Sequence, residues 1–89
     1  MQIDLNKFGK VLTSRPAGKE AWLAFQPKLK KMKDKEMIEI NFNKVAVLTP
    51  SWADEFITPL LREYPKRVKF LNTKNPSIKA SLQIIRKEE

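Results

Sequence analysis

The segment from Ile38 to Tyr64 constrains the fold more than any other part of this 89-residue chain. It reads IEINFNKVAVLTPSWADEFITPLLREY, which is an alternating apolar stretch, a short turn and then an apolar stripe at helical spacing. Alternation is typical of a strand, and the stripe is typical of an amphipathic helix. We expect the helix to begin at Ser51, as its N-cap, with Asp54 as a second polar capping residue. A strand that runs into a capped helix is a building unit of α/β domains.

The N-terminal part of the chain predicts a hairpin and then a first helix. Ile3 and Leu5 alternate with polar residues, and a turn around Gly9 leads into a short return strand. The helix begins with Ser14 as its N-cap, and Pro27 predicts a kink or a break into two helical pieces. One face of this helix is apolar and is assigned to the core; it comprises Trp22, Phe25, Leu29 and Met32.

The C-terminal part adds one more strand and one more helix. Residues 68–71 form the strand, and Asn75 followed by Pro76 predicts an N-cap and a first helical position. Residues 1–89 are therefore predicted to form a single small α/β domain, with an N-terminal hairpin followed by alternating helices and strands. About four strands make a mixed sheet with three helices, and the unpaired edge of that sheet would permit a homodimer. Loops that follow parallel strands gather at one end of the sheet, and the turn at 48–51 is one of them.

The composition argues against an enzyme. The chain has no cysteine and no histidine, which removes thiolate chemistry and the commonest general base at neutral pH. The sequence contains neither a glycine-rich phosphate loop nor a catalytic serine motif. Asp54 and Glu55 are adjacent on the predicted helix, so we expect them to point to different faces rather than at one substrate. We predict no catalytic residue, no bound metal and no cofactor.

Hydropathy and charge restrict the location and the partners. No apolar run reaches the ~18–20 residues of a membrane span, and the first residues lack a signal-peptide profile. A cytoplasmic protein without a membrane span is the expectation. The net charge of +8, from 18 basic and 10 acidic residues, favours acidic partners such as nucleic acid, an anionic membrane or an acidic protein surface.

A resemblance to a known family rests on four stretches of the sequence, NFNKV, AVLT, SWADEF and NPSIKASLQII. Together they resemble the STAS fold, the domain of bacterial anti-sigma factor antagonists. The match is closer to the STAS-like domains of unknown function, whose helix start reads Ser, aromatic, Ala, Asp, Glu, as residues 51–55 do. Alignment of the strands places Thr49 and Pro50 where the antagonists carry an aspartate and a phosphorylatable serine. Ser51 lies one residue later, and Asn41 stands where an acidic residue is usual.

The resemblance implies a regulatory domain that binds another protein. The partner would resemble a kinase-like ATPase or another switch protein, and the loop and helix start at 49–55 would form the contact. Trp52 is expected to be half exposed and to act as an apolar anchor, and a role in packing the helix start onto the sheet is equally open. A purely structural capping role for Ser51 and Asp54 is open as well. The predicted partner-binding residues are Thr49, Ser51, Trp52, Asp54 and Glu55, and Ser51 is the candidate phosphoacceptor.

A second interpretation places the function on a basic surface. The stretch KLKKMKDK, residues 28–35, could bind nucleic acid or another anionic surface through its lysines. A merely solvated face is the other interpretation of this stretch, because lysine outnumbers arginine 14 to 4 and no nucleic-acid-binding motif is present. The lysines of this candidate patch are Lys28, Lys30, Lys31, Lys33 and Lys35.

Overall fold

Residues 1–87 are the part of the chain that the structure, a computed structural model, describes. Strands and helices alternate along this part, which confirms the α/β class, and the three predicted helices are all present. In chain order the elements are β1 (Gln2–Asp4), a 3-10 helix (Leu5–Phe8), β2 (Val11–Leu12), α1 (Arg15–Leu29), β3 (Ile38–Asn41), β4 (Val47–Leu48), α2 (Pro50–Glu63), β5 (Val68–Leu71) and α3 (Pro76–Lys87).

All strand pairs in the described residues are parallel. β1, β3 and β5 form a three-stranded sheet in that order, in which Ile40 lies between Ile3 and Phe70. β2 and β4 form a separate two-stranded sheet, in which Val11 lies opposite Val47. The prediction of one mixed sheet is therefore wrong. The strands divide between two parallel sheets because each strand of the N-terminal segment pairs with a strand beyond α1.

The predicted N-terminal hairpin is also wrong, because β1 and β2 do not pair with each other. Residues 5–8 form a 3-10 helix that begins with the fully buried Leu5. Such a helix rises about 2 Å per residue, so it carries the chain forward rather than reversing it. Gly9 follows with a φ of +127°, a conformation that glycine adopts without strain, and the chain then enters β2.

The core lies on one face of the three-stranded sheet. Ile38 and Ile40 in the central strand β3 are fully buried, whereas the alternating residues Glu39 and Asn41 are only partly buried. α2 packs against both α1 and α3, and all three helices contribute to the same apolar cluster as β3. The other face of this sheet carries mainly polar side chains, such as Glu39, Asn41 and Lys69, so the helices cover the face that bears Ile38 and Ile40.

α1 begins where the sequence predicts. The side-chain oxygen of its N-cap, Ser14, accepts a hydrogen bond from the backbone N–H of Ala17 at 3.2 Å. The helix continues through Pro27 to Leu29, so it is not broken into two pieces. A proline so close to the end of a helix removes one intrahelical hydrogen bond, which the last turn tolerates. Met32, predicted on the helix face, lies in the turn after α1 and is partly buried against the core.

α1 and α2 approach each other closely at Gly18. A Cβ atom placed on Gly18 would lie 2.6 Å from the backbone oxygen of Trp52 and 3.1 Å from the Cβ atom of Glu55. Only a residue without a side chain allows the first turns of the two helices to touch in this way. The contact fixes the position of the α2 start, where the predicted site lies.

Candidate functional site at the start of α2

The N-cap of α2 is Thr49 and not Ser51. The Thr49 hydroxyl oxygen accepts a hydrogen bond from the backbone N–H of Trp52 at 3.4 Å, and Pro50 occupies the first helical position. Proline favours that position because its fixed φ suits the helix and its missing N–H needs no partner there. The capping role predicted for Ser51 is therefore wrong. Asp54 is not a capping residue either, since its carboxylate binds side chains.

Thr49 also joins the start of α2 to the end of β2. Its backbone N–H donates to the carbonyl of Leu12 at 3.0 Å, and its hydroxyl donates to the carbonyl of Thr13 at 2.7 Å. These bonds hold the loop between β4 and α2 against the two-stranded sheet. Thr49, which the sequence predicts to bind a partner, thus has a structural role.

The hydroxyl group of Ser51 is not used in the hydrogen bonding of the described residues. Ser51 occupies the second position of α2 and is partly buried, and its hydroxyl forms no hydrogen bond with any of residues 1–87. In the same part of the chain, no fully buried side-chain nitrogen or oxygen lacks a hydrogen-bond partner. The Ser51 hydroxyl is therefore reachable from solvent, at a helix start where the dipole favours a negative group.

Trp52 belongs to the core. Its side chain is only 1% exposed, its ring stacks on Phe56 with 5.2 Å between centroids, and the ring of Phe8 lies 6.0 Å away. The expectation of a half-exposed residue is wrong, because its position one helical turn before Phe56 places it on the buried face of α2. The alternative interpretation, packing of the helix start, describes this residue correctly.

Arg15 brings Asp54 and Glu55 together. Its Nη1 atom lies 2.9 Å from Asp54 Oδ2 and 2.8 Å from Glu55 Oε2. The expectation that the two carboxylates point to different faces is wrong, because one cation at the start of α1 attracts both of them. The hydrogen bond from Arg15 holds the pKa of Asp54 below its usual value, and a hydrogen bond from the Thr58 hydroxyl lowers that pKa further. Asp54 and Glu55, which the sequence predicts to bind a partner, thus belong to an ion-pair cluster between two helices.

An exposed apolar pair, which the sequence analysis missed, lies beside the α2 start. Val11 and Val47 face each other across β2 and β4 and are 60% and 37% exposed. β4 runs directly into Thr49, so Val47 is close in sequence to Ser51, and strand pairing places Val11 beside Val47. Strand geometry explains the exposure of the two valines. Successive residues of a strand point to opposite faces, and the neighbours of Val11 and Val47, Leu12 and Leu48, are buried.

A row of polar side chains, to which the sequence analysis assigned no role, crosses the carboxyl ends of β1, β3 and β5. Asn41 Nδ2 donates to Asp4 Oδ1 at 3.1 Å, and Asn72 Nδ2 donates to Asn41 Oδ1 at 2.6 Å. Hydrogen bonds from Gln2 and Asn41 hold the pKa of Asp4 below its usual value. The available signal was that each residue lies within or directly after a predicted strand. The members bind one another, so the row closes this end of the sheet.

The lysine cluster at 28–35 lies at the end of α1 and in the turn that follows. Its five lysines are all exposed, and none of them forms an ion pair with any of residues 1–87. The ammonium groups of Lys7 and Lys28 lie 4.3 and 5.5 Å from the ring centre of Phe25. Burial and the nearby charge of Lys28 lower the pKa of Lys7. The basic surface therefore extends from α1 onto the 3-10 helix.

Parallel strands and three helices that share one apolar core define a small α/β domain, and its candidate site lies where β4 enters α2. A family model described as a STAS-like domain of unknown function matches residues 25–77, which is more than half of the chain and includes the predicted site. The chain belongs to this family. Neither a curated protein nor a solved structure matches it. Within residues 1–87, every helix falls short of the length and apolarity that a bilayer crossing requires.

Proposed function

We propose that this STAS-like domain is a regulatory module that acts by binding another protein rather than by catalysis. Its contact surface, called here the α2-start surface, comprises Val11, Val47, Pro50 and Ser51. The family membership supports a regulatory role, and the resemblance to anti-sigma factor antagonists suggests a partner of the kinase-like ATPase or switch type. Thr49 joins this surface to the end of β2, and Asp54 and Glu55 join the start of α2 to Arg15 of α1.

The observation that carries the proposal is the exposed valine pair. Trp52 is buried in the core, so a partner cannot use it without opening the domain. Val11 and Val47 instead present adjoining apolar side chains on a small sheet that is fixed to the α2 start. Burial of apolar surface contributes about 25 cal/mol per Å², so a partner that covers both valines gains an apolar contact at this point.

Ser51 gives this surface a means of control. A phosphate on Ser51 would lie at a helix N-terminus, where the backbone dipole favours negative charge. Asp54 and Glu55 would repel it, although Arg15 offsets part of their charge. A phosphate on the α2-start surface would add charge to a contact whose energy comes from apolar burial, and would therefore weaken the binding of a partner.

A pull-down from nuclease-treated lysate of the source organism, read by mass spectrometry, tests the proposal. The baits are the wild type, Val47→Lys, Ser51→Asp and Leu23→Lys. Leu23 is 55% exposed on α1, so Leu23→Lys makes the same kind of change as Val47→Lys at another site. We expect a protein that the wild type and Leu23→Lys capture to be lost from Val47→Lys and from Ser51→Asp. Circular dichroism of each bait checks that it is folded.

Two outcomes would change the proposal in different ways. Retention of all captured proteins by the folded Val47→Lys variant would contradict the α2-start surface. Loss from Val47→Lys but not from Ser51→Asp would keep the surface and remove the control by Ser51.

A second candidate function is the binding of nucleic acid or an anionic surface by the lysine cluster. It is favoured by the exposure of all five lysines and by the continuation of positive charge to Lys7. Binding of this kind falls steeply as salt rises, because each phosphate contact releases counterions. We expect an oligonucleotide to lose affinity for a Lys31→Glu, Lys33→Glu double variant and to keep it for Val47→Lys. Equal affinity for the wild type and the double variant would contradict this function.

A further inference from the structure

The outer edge of β5 is unpaired within residues 1–87. β5 pairs with β3 alone, and no other strand of the described chain lies on its far side. The carbonyls of Arg67 and Leu71 accept hydrogen bonds from the β3 side at 2.7 and 3.0 Å. Successive residues of a strand direct their backbone groups to opposite edges, so the N–H and C=O groups of Val68 and Phe70 face outward. A strand that approached this edge would find donors and acceptors ready to pair.

A groove of about 450 Å³ runs along this edge, between β5 and α3. The guanidinium of Arg86 lies over the ring of Phe70, at 4.5 Å from its centre, and so brings a positive charge to the apolar side chains of β5. No acidic residue is among the described residues that line the groove. Its lining includes the apolar Val68, Phe70 and Leu82 and the basic Lys69, Lys79 and Arg86.

We propose that this groove binds an extended acidic peptide segment of a partner protein, which adds to the sheet as a further strand beside β5. Backbone hydrogen bonds to Val68 and Phe70 would give affinity, as in other cases of strand addition. Alternate side chains of the peptide would enter the groove beside Leu82, and its acidic side chains would meet Lys79 and Arg86 on α3. This surface is separate from the α2-start surface, so the proposal does not depend on the proposed function.

The charge of the groove selects the peptide over a second copy of this chain. Pairing of two β5 edges would bring Lys69, Lys79 and Arg86 of one copy close to the same residues of the other. Like charges that face each other across an interface disfavour it. The net charge of +8 adds to this repulsion. An acidic segment instead neutralises the cations that an identical chain would crowd together.

An NMR titration of the isotope-labelled chain with a short peptide that alternates glutamate with valine tests the proposal. One control peptide replaces each glutamate with lysine, and the other carries an N-methyl group on every backbone amide, which removes the N–H donors of both its edges. We expect saturable shifts of the amides of Val68 and Phe70 with the acidic peptide. Both control peptides should bind at least about tenfold more weakly, because they lack either the charge or the hydrogen bonds.

Matched variants separate the contributions of charge and backbone. A Lys79→Glu, Arg86→Glu double variant should bind the acidic peptide at least about tenfold more weakly. Its control, Lys30→Glu with Lys31→Glu, makes the same change in net charge elsewhere and should bind as the wild type does.

Val68→Pro removes an outward N–H that the sheet does not use, so we expect it to fold and to bind weakly. Val68→Ala keeps that N–H and controls for the loss of the side chain. If Val68→Pro does not fold, the charge-reversal pair and the N-methylated peptide still decide the question.

Several results would overturn the proposal. Equal binding of the N-methylated peptide would mean attraction by charge alone, without strand addition. Shifts centred on the lysine cluster, or no saturable shift at about 1 mM peptide, would exclude the groove as the site. A dimer of the chain alone with contacts at Val68 and Phe70 would assign the edge to a second copy.

Discussion

At the scale of single residues, proline decides where α2 begins. Pro50 takes the first helical position, which makes the preceding Thr49 the N-cap. The Ser51 hydroxyl therefore does not cap the helix. The sequence contained this information, since proline at the first position of a helix is a strong preference. Serine and threonine are both preferred caps, so the preference for a hydroxyl residue alone does not distinguish Ser51 from Thr49.

Thr49→Ala and Ser51→Ala should therefore differ in stability. The loss of the cap should lower the free energy of unfolding by about 1 kcal/mol for Thr49→Ala. Ser51→Ala removes no hydrogen bond within the described chain and should change that free energy by less than about 0.5 kcal/mol. Urea unfolding followed by tryptophan fluorescence measures both. An equal cost for the two variants would contradict the assignment of the cap.

Trp52→Ala should damage the fold rather than a binding surface. Truncation of a buried aromatic residue costs about 3–5 kcal/mol, a large part of the roughly 5–15 kcal/mol that stabilises a domain. Thermal unfolding should show a much lower midpoint for Trp52→Ala, and a smaller loss for Trp52→Phe. A Trp52→Ala variant as stable as the wild type would mean that this side chain is not in the core.

At the scale of elements, local periodicity predicted the positions of individual strands and helices but not which strands pair. β3 and α3 lie where the repeats of Ile38 with Ile40 and of Ile78 with Leu82 place them. The pairing of β2 was not predictable in this way, because a strand of two residues carries almost no information about its partner.

In the candidate site, too, the features that depend on local sequence were predictable and those that depend on distant contacts were not. Its position at the start of α2 was predictable from the sequence. The meeting of Asp54 with Arg15 was not, since 39 residues separate the two. The burial of Trp52 likewise depends on Phe8, which reaches it from a 3-10 helix that no sequence pattern indicated.

The contact between α1 and α2 predicts a cost for any side chain at position 18. Gly18→Ala gains about 1 kcal/mol of helix propensity, but overpacking against a backbone oxygen costs about 1–3 kcal/mol. We expect a net loss of stability in urea unfolding, and a larger loss for Gly18→Val. A more stable Gly18→Ala variant would mean that the helices can separate at this point without cost.

The edge position of β5 predicts a pattern of amide exchange. The amides of Lys69 and Leu71 point towards β3 and should exchange slowly with deuterium. The amides of Val68 and Phe70 point outward and should exchange faster, although all of them belong to one strand. Hydrogen exchange by NMR measures each amide separately, and uniform protection along β5 would contradict an open edge.

At the scale of the whole molecule, the excess of positive charge makes the fold sensitive to acid. The pKa values of Asp4 and Asp54 are lowered in the folded chain, so their contribution to stability is present above the unfolded value of about 3.9. That contribution is lost as the pH falls through the lower folded pKa values. Protonation of the acidic residues also leaves 18 basic side chains to repel one another.

We therefore expect the free energy of unfolding to fall as the pH drops below about 4, and salt to restore part of it by screening. Asp54→Asn should make this fall less steep, because one of the linked carboxylates is gone. Asp34→Asn, at an exposed residue that forms no ion pair with any of residues 1–87, is the matched control. Unfolding measured at several pH values tests this, and identical slopes for the two variants would contradict the role of Asp54.

The order of the strands also bears on how the chain assembles during synthesis. β3 adds to the side of β1, β4 adds to β2, and β5 adds to the free side of β3. No strand has to enter between two earlier ones, so β3, β4 and β5 each pair with a strand that was translated before them. Domains acquire structure from the N-terminus as they are translated, and this arrangement suits that direction. The sheet can be completed in the order in which its strands are translated, without waiting for a later segment.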